Sequence, residues 1–118
     1  VTALALKPLQ RTDGWCDAPS SGRYNRHVRL PFAESHEALW RADTAYDVVI
    51  ATSHNERPRQ RGGGSAIFFH LIHPGKMVTE GCVAIAAADM RKLLRLVGRD
   101  VRLVVWPGQS GPPAGCRK

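Results

Sequence analysis

Apolar positions in this chain fall mostly into short β-forming runs and only once at helical spacing. The densest run is Ser65-Ala66-Ile67-Phe68-Phe69-His70-Leu71-Ile72, which predicts a central strand. Tyr46-Asp47-Val48-Val49-Ile50-Ala51-Thr52 predicts another by its β-branched content, and Val101 to Trp106 a last one. Met90, Leu93, Leu94 and Val97 recur at i, i+3, i+4 and i+7. Arg91, Lys92 and Arg95 lie opposite them, so Asp89 to Val97 reads as an amphipathic helix that Gly98 ends. Ala33 to Ala42 predicts a short helix with Leu39 and Trp40 facing inward.

Turn formers separate these elements. Residues 11–31 carry Gly14, Pro19, Gly22 and Pro31 and read as loop-rich. Pro58-Arg59-Gln60-Arg61-Gly62-Gly63-Gly64 reads as a mobile loop. Pro74-Gly75 breaks the chain after the densest strand, and Gly81 precedes a short apolar run from Cys82 to Ile85. The elements do not alternate as in a doubly wound fold. The expectation is a mainly β (β-rich α+β) domain: a mixed β-sheet sandwich with one flanking helix. The domain spans residues 1–106, and residues 107–118 form a flexible tail with three Gly and three Pro.

With 118 residues there is room for one core. No apolar run is long enough to span a bilayer. Val1-Thr2-Ala3-Leu4-Ala5-Leu6 lacks a basic flank and does not read as a signal peptide. The net charge of +7 favours polyanionic partners. The basic residues are nevertheless scattered along the chain and no nucleic-acid-binding motif accompanies them, so nucleic acid is not an expected partner. Cys16, Cys82 and Cys116 form no close pair of the kind that zinc sites use, and neither metal nor cofactor is expected. Cys16 reads as structural and Cys116 as incidental.

Candidate chemistry lies between residues 65 and 85. His70 ends the buried strand and Cys82 follows a turn, within Thr79-Glu80-Gly81-Cys82-Val83. A thiol becomes a nucleophile when a neighbouring base takes its proton, and histidine suits that role near neutrality. Gly81 allows close backbone approach and N–H groups for an oxyanion. One His and one Cys at this spacing also fit a buried structural cysteine.

Thr79-x-Gly81-Cys82-Val83, preceded by an apolar strand ending in His70, resembles the YkuD-type L,D-transpeptidase catalytic domain. Asp13-Gly14-Trp15-Cys16-Asp17-Ala18-Pro19, Tyr24-Asn25, Tyr46-Asp47-Val48-Val49 and Gly64-Ser65-Ala66-Ile67-Phe68 extend the likeness to a compact proteobacterial branch, over roughly residues 12–106. The resemblance implies that Cys82 attacks a peptidoglycan stem peptide and forms a thioester. The acyl group then passes to an amine of a neighbouring stem, or to water. It also implies His70 as base, Gly81 and Cys82 as oxyanion donors, Thr79 at the family's hydroxyl position, acylation by carbapenem β-lactams, and a periplasmic or cell-envelope location. Glu80 stands where most members have His, and Ala84 where most have Arg. The chain also starts where relatives already have N-terminal strand, so it reads as N-terminally shortened.

Asp17, Tyr24, Asn25, His54, Asn55 and Glu80 are candidate substrate contacts, while turn and loop hydrogen bonds explain Asp17, Tyr24 and Asn25 nearly as well and His54 and Asn55 at least as well. His70 and His73 would point to opposite strand faces, so they form no metal pair and His73 reads as loop or surface. Trp15, Trp40 and Trp106 read as core or cleft wall. An active transpeptidase is the favoured function, and a non-catalytic peptidoglycan-binding remnant of the same fold is the alternative.

Overall fold

A computed structural model describes residues 2–73, 79 and 81–104. Six strands and a helix follow one another: β1 (Asp13–Cys16), β2 (His27–Arg29), β3 (His36–Ala38), β4 (Ile50–Ala51), β5 (Phe68–Leu71), β6 (Val83–Ile85) and α1 (Ala87–Leu96). They make two three-stranded sheets, ordered β2-β1-β3 and β4-β5-β6. In the first, β1 pairs antiparallel with both neighbours, Gly14 facing Val28 on one side and Ala38 on the other. In the second, β4 is antiparallel to β5 and β6 is parallel to it, with His70 opposite Ala84. The sheet is therefore mixed, and the architecture is the β-rich α+β fold read from the sequence.

The two sheets meet through aromatic side chains. Trp15 of β1 stands edge-on to Phe68 of β5, ring centres 5.1 Å apart. Around them Leu39, Ala45, Tyr46 and Ala66 close the main core, with Leu9, Val49 and Cys82 packed against it. Burying such rings contributes area-proportional hydrophobic stabilisation plus a preference for edge-to-face geometry. A second cluster of Cys16, Ala18 and Val28 sits under β1 and β2. Cys16 is a fully buried free thiol, as expected of a structural cysteine.

Several local expectations are corrected. Residues 33–42 form no helix: His36–Ala38 is strand β3, pairing with β1 from Gly14↔Ala38 to Cys16↔His36. A weak helical pattern yields here to the backbone groups along β1's open edge, which need partners. Leu39 is buried, but Trp40 is exposed, under the Arg11 guanidinium 5.2 Å from its ring centre. The loop-rich segment 11–31 contains β1 and β2. The strand expected over 46–52 is reduced to Ile50–Ala51, because Tyr46 turns into the core and Asp47 N–H bonds Thr44 O. Residues 101–104 form no strand and expose Val101, Leu103 and Val104.

The helix is where the periodicity puts it, starting two residues earlier. Met90 is its buried residue, and Val97 N–H caps it by bonding Leu93 O. It packs beside β5. Trp106, Cys116 and the expected tail 107–118 lie outside the described residues, as does Glu80.

Candidate functional site

The parallel pairing of β5 and β6 fixes the relation between His70 and Cys82. With Phe69 opposite Val83 and His70 opposite Ala84, Cys82 falls beside Phe68, one side-chain repeat from His70 on the neighbouring strand. Side chains alternate along a strand, so residues 68 and 70 share a face with residues 82 and 84. Cys82, His70, Ala84 and Thr79 accordingly line one cavity of about 470 Å³, together with Asp17, Glu37, Arg41 and Tyr46.

Gly81 makes the turn into β6. Its φ is +97°, a conformation that side chains resist, and a Cβ there would lie 3.2 Å from Ile67 Cδ1. The Thr79 hydroxyl donates to the Cys82 carbonyl at 2.5 Å. Thr79 therefore holds the cysteine's backbone from within the turn.

The Cys82 thiol is held by β5. Sγ–H donates to Ala66 O at 3.1 Å, and Phe68 N–H donates to Sγ at 3.4 Å. Burial pushes the thiol pKa up, the nearby Glu37 charge adds to the rise, and the Phe68 N–H opposes it. The resting group is a protonated thiol rather than a thiolate, and needs a base at the moment of attack. His70 is almost fully buried, 8% exposed. Its Nδ1 lies 2.8 Å from Leu71 O, an acceptor only. Nδ1 must therefore carry the proton, which leaves the Nε2 lone pair as the basic position of the neutral ring.

The opposite wall comes from β3 and the connection after it. The Tyr46 hydroxyl donates to Glu37 Oε1, and burial followed by this carboxylate pushes the tyrosine's pKa well above its usual range. The Tyr46 ring lies 5.3 Å from the His70 ring and 5.0 Å from the Arg41 guanidinium. Arg41 is itself committed to Asp43 through a two-toothed bond of 2.9 and 2.5 Å. That bond holds the Asp43 carboxyl far below the usual range. His73 Nε2 also reaches Asp43, at 3.1 Å. His73 nevertheless borders the cavity, because strand alternation stops at Leu71.

A model of the L,D-transpeptidase catalytic domain, the YkuD family, matches residues 2–105 of the 118. The chain belongs to this family. No curated protein and no solved structure matched it. In this YkuD domain one cavity unites Cys82 and His70, the pair expected from the sequence to be nucleophile and base. Ala84 lines it too.

The remaining predicted contacts separate into two groups. Asp17 lines the cavity, and its carboxylate accepts the Ser35 hydroxyl. Tyr24, Asn25, His54 and Asn55 are not among the lining residues and instead bind loops together. Asn25 donates through Nδ2 to His54 O and Asn55 O and accepts at Oδ1 from Trp15 Nε1 and Ala66 N. All four of its hydrogen-bonding positions are used. Asn55 ties Gln60 and Gly64, His54 bonds Gly63 O, and the Tyr24 hydroxyl accepts from Gly64 N. This network anchors the 58–64 loop.

Sequence reasoning missed Glu37, Arg41 and Tyr46 as site residues. The helix expected over 33–42 hid the first two, and Tyr46 drew notice only as part of a strand. Among the described residues no group of three ligating side chains could hold a metal ion, and no helix is long and apolar enough to cross a membrane.

Proposed function

We propose that this domain is a peptidoglycan L,D-transpeptidase in which Cys82 is the nucleophile and His70 the general base. The observation that carries the reading is that the two side chains line one cavity while Leu71 O fixes the His70 proton on Nδ1. The Cys82 S–H leaves Ala66 O and passes its proton to His70 Nε2 as Sγ attacks the carbonyl carbon of a stem-peptide bond. Backbone N–H groups of Gly81 and Cys82 stabilise the oxyanion. The tetrahedral species collapses, the C–N bond breaks, and His70 returns its proton to the departing amine. An amine of a neighbouring stem then attacks the thioester, His70 takes its proton, and the thiol is released. Water in the amine's place gives hydrolysis. Thr79 acts through the Cys82 carbonyl as a positioning residue. The work of such a domain lies in the periplasm or cell envelope.

The test is intact-mass spectrometry after incubation with a carbapenem and, separately, with purified muropeptides. We expect an acyl adduct on wild type that is absent in Cys82→Ala and slowed at least about 100-fold in His70→Ala, the scale of general-base assistance. A folded wild-type protein that neither reagent acylates overturns the reading in favour of a non-catalytic peptidoglycan-binding module.

A further inference from the structure

The charges around Cys82 are unequal in sign. Asp17 and Glu37 line the cavity as carboxylates, and among the described residues Arg41 is the lining cation whose charge is permanent. The Arg41 charge is offset on the spot by the fork to Asp43, which also receives His73. Ala84 places no cation beside the nucleophile. Glu37 is anchored as a carboxylate acceptor by the Tyr46 hydroxyl, on a strand whose register against Trp15 fixes its direction. His36 and His70, the other lining histidines, are bonded to the backbone carbonyls Glu34 O and Leu71 O.

We infer that Glu37 makes this cavity favour groups bearing a positive charge, such as a primary ammonium, next to the acyl centre presented to Cys82. As a statement about substrate class it rests on the proposed acyl-transfer reading; as a statement about the field at Cys82 it does not. An ammonium entering the cavity gains a partner in Glu37, whereas an anion meets a like charge, and among the described lining residues the Arg41 cation is already bound to Asp43. Glu37 is thus a specificity-determining wall residue, separate from the nucleophile and base.

The field is measured without any acyl substrate. In a Cys116→Ser background, with Cys16 fully buried, Cys82 is titrated with three methanethiosulfonates of comparable size: trimethylammonioethyl, sulfonatoethyl and a neutral pentyl. In each, the thiolate attacks the sulfenyl sulfur, a mixed disulfide forms and methanesulfinate leaves. Rates of the charged reagents are divided by that of the neutral one, which removes changes in thiol ionisation. We expect the cation-to-anion ratio to fall roughly three- to tenfold in Glu37→Gln, the scale of one partly screened charge at this range. Gln keeps an acceptor for Tyr46. Raising salt to about 1 M should collapse the wild-type ratio in the same direction without any substitution. A ratio unchanged by both, or a wild-type preference for the anion, overturns the inference. Should the ratio behave as expected while muropeptides fail to acylate Cys82, the acyl-transfer reading fails alone.

Discussion

Asn25 gives the sharpest test of how this site is built. Its side chain is buried, 5% exposed, and joins three segments: Trp15 on β1, the 54–55 turn, and Ala66 at the approach to β5. Ala66 is the residue whose carbonyl holds the Cys82 thiol, so the brace reaches the nucleophile in two steps. Asn25→Ala leaves Trp15 Nε1–H and Ala66 N–H without their acceptor, each orphaned donor costing about 1–3 kcal/mol. It also puts a Cβ-bearing residue without asparagine's local hydrogen bonding at φ +56°, at a further cost of about 1 kcal/mol. A loss of about 3–7 kcal/mol is a large share of a domain's usual stability. Urea denaturation measures it, with Asn25→Gly as control: glycine relieves the φ term, so it should recover about 1 kcal/mol and no more. The rate of Cys82 alkylation by an uncharged reagent should rise in both variants, because Ala66 O no longer holds the thiol. A loss below about 1 kcal/mol for Asn25→Ala, with unchanged alkylation, refutes the brace.

Two further outcomes follow from the same geometry. Because burial and then Glu37 push the Cys82 thiol up, alkylation by a neutral reagent should titrate at higher pH in the folded domain than in the unfolded chain, and Glu37→Gln should lower the midpoint. The sign for stability follows: the unfolded chain's thiol ionises first, so the domain loses stability as pH rises past the unfolded thiol's pKa, a loss that Cys82→Ser removes in pH-dependent urea titrations. Gly81→Ala forces a side chain to φ +97° against Ile67, which should cost about 1–2 kcal/mol in thermal or urea unfolding. On the proposed mechanism it should also slow acylation of Cys82 more than alkylation, since the oxyanion donors assigned to that turn serve acylation alone.

The sequence made one element of the site plain and concealed the other wall. His70 and Cys82 lie in one stretch, where an unbroken apolar run and a Gly-Cys turn carry strong local signals, and α1 carries a clear 3.6-residue period. The 33–42 segment misleads because its strand is three residues long, too short for alternation to show, and its pairing with β1 is decided by distant partners. Tyr24, Asn25, His54 and Asn55 look like substrate contacts in a sequence because polar loop residues serve binding and bracing equally well. What separates the two roles is whether their hydrogen bonds are already satisfied, and that depends on segments 29 and 30 residues away.

The position of Ala84 shows how the two walls bear on each other. It faces His70 across the parallel pair and places no charge in the cavity, so the field at the nucleophile falls to the far wall, where Glu37 stands and Arg41 is bound to Asp43. A carboxylate beside a thiol that must ionise raises the barrier to forming the thiolate alone. On the proposed mechanism the same carboxylate stabilises the site once His70 has taken the proton, because the cationic imidazolium then shares the cavity with two anions, the Cys82 thiolate and Glu37. On that mechanism Glu37 works against a free thiolate and favours the coupled proton transfer, which would tie attack by Cys82 to the presence of His70. This makes a sharp expectation for the double variant. In His70→Ala, removing the Glu37 charge should partly restore Cys82 reactivity toward neutral reagents, whereas with His70 present the same change should alter it less. Equal effects of Glu37→Gln in the two backgrounds, measured as second-order alkylation rates at one pH, would show that the carboxylate and the imidazole act on the thiol independently.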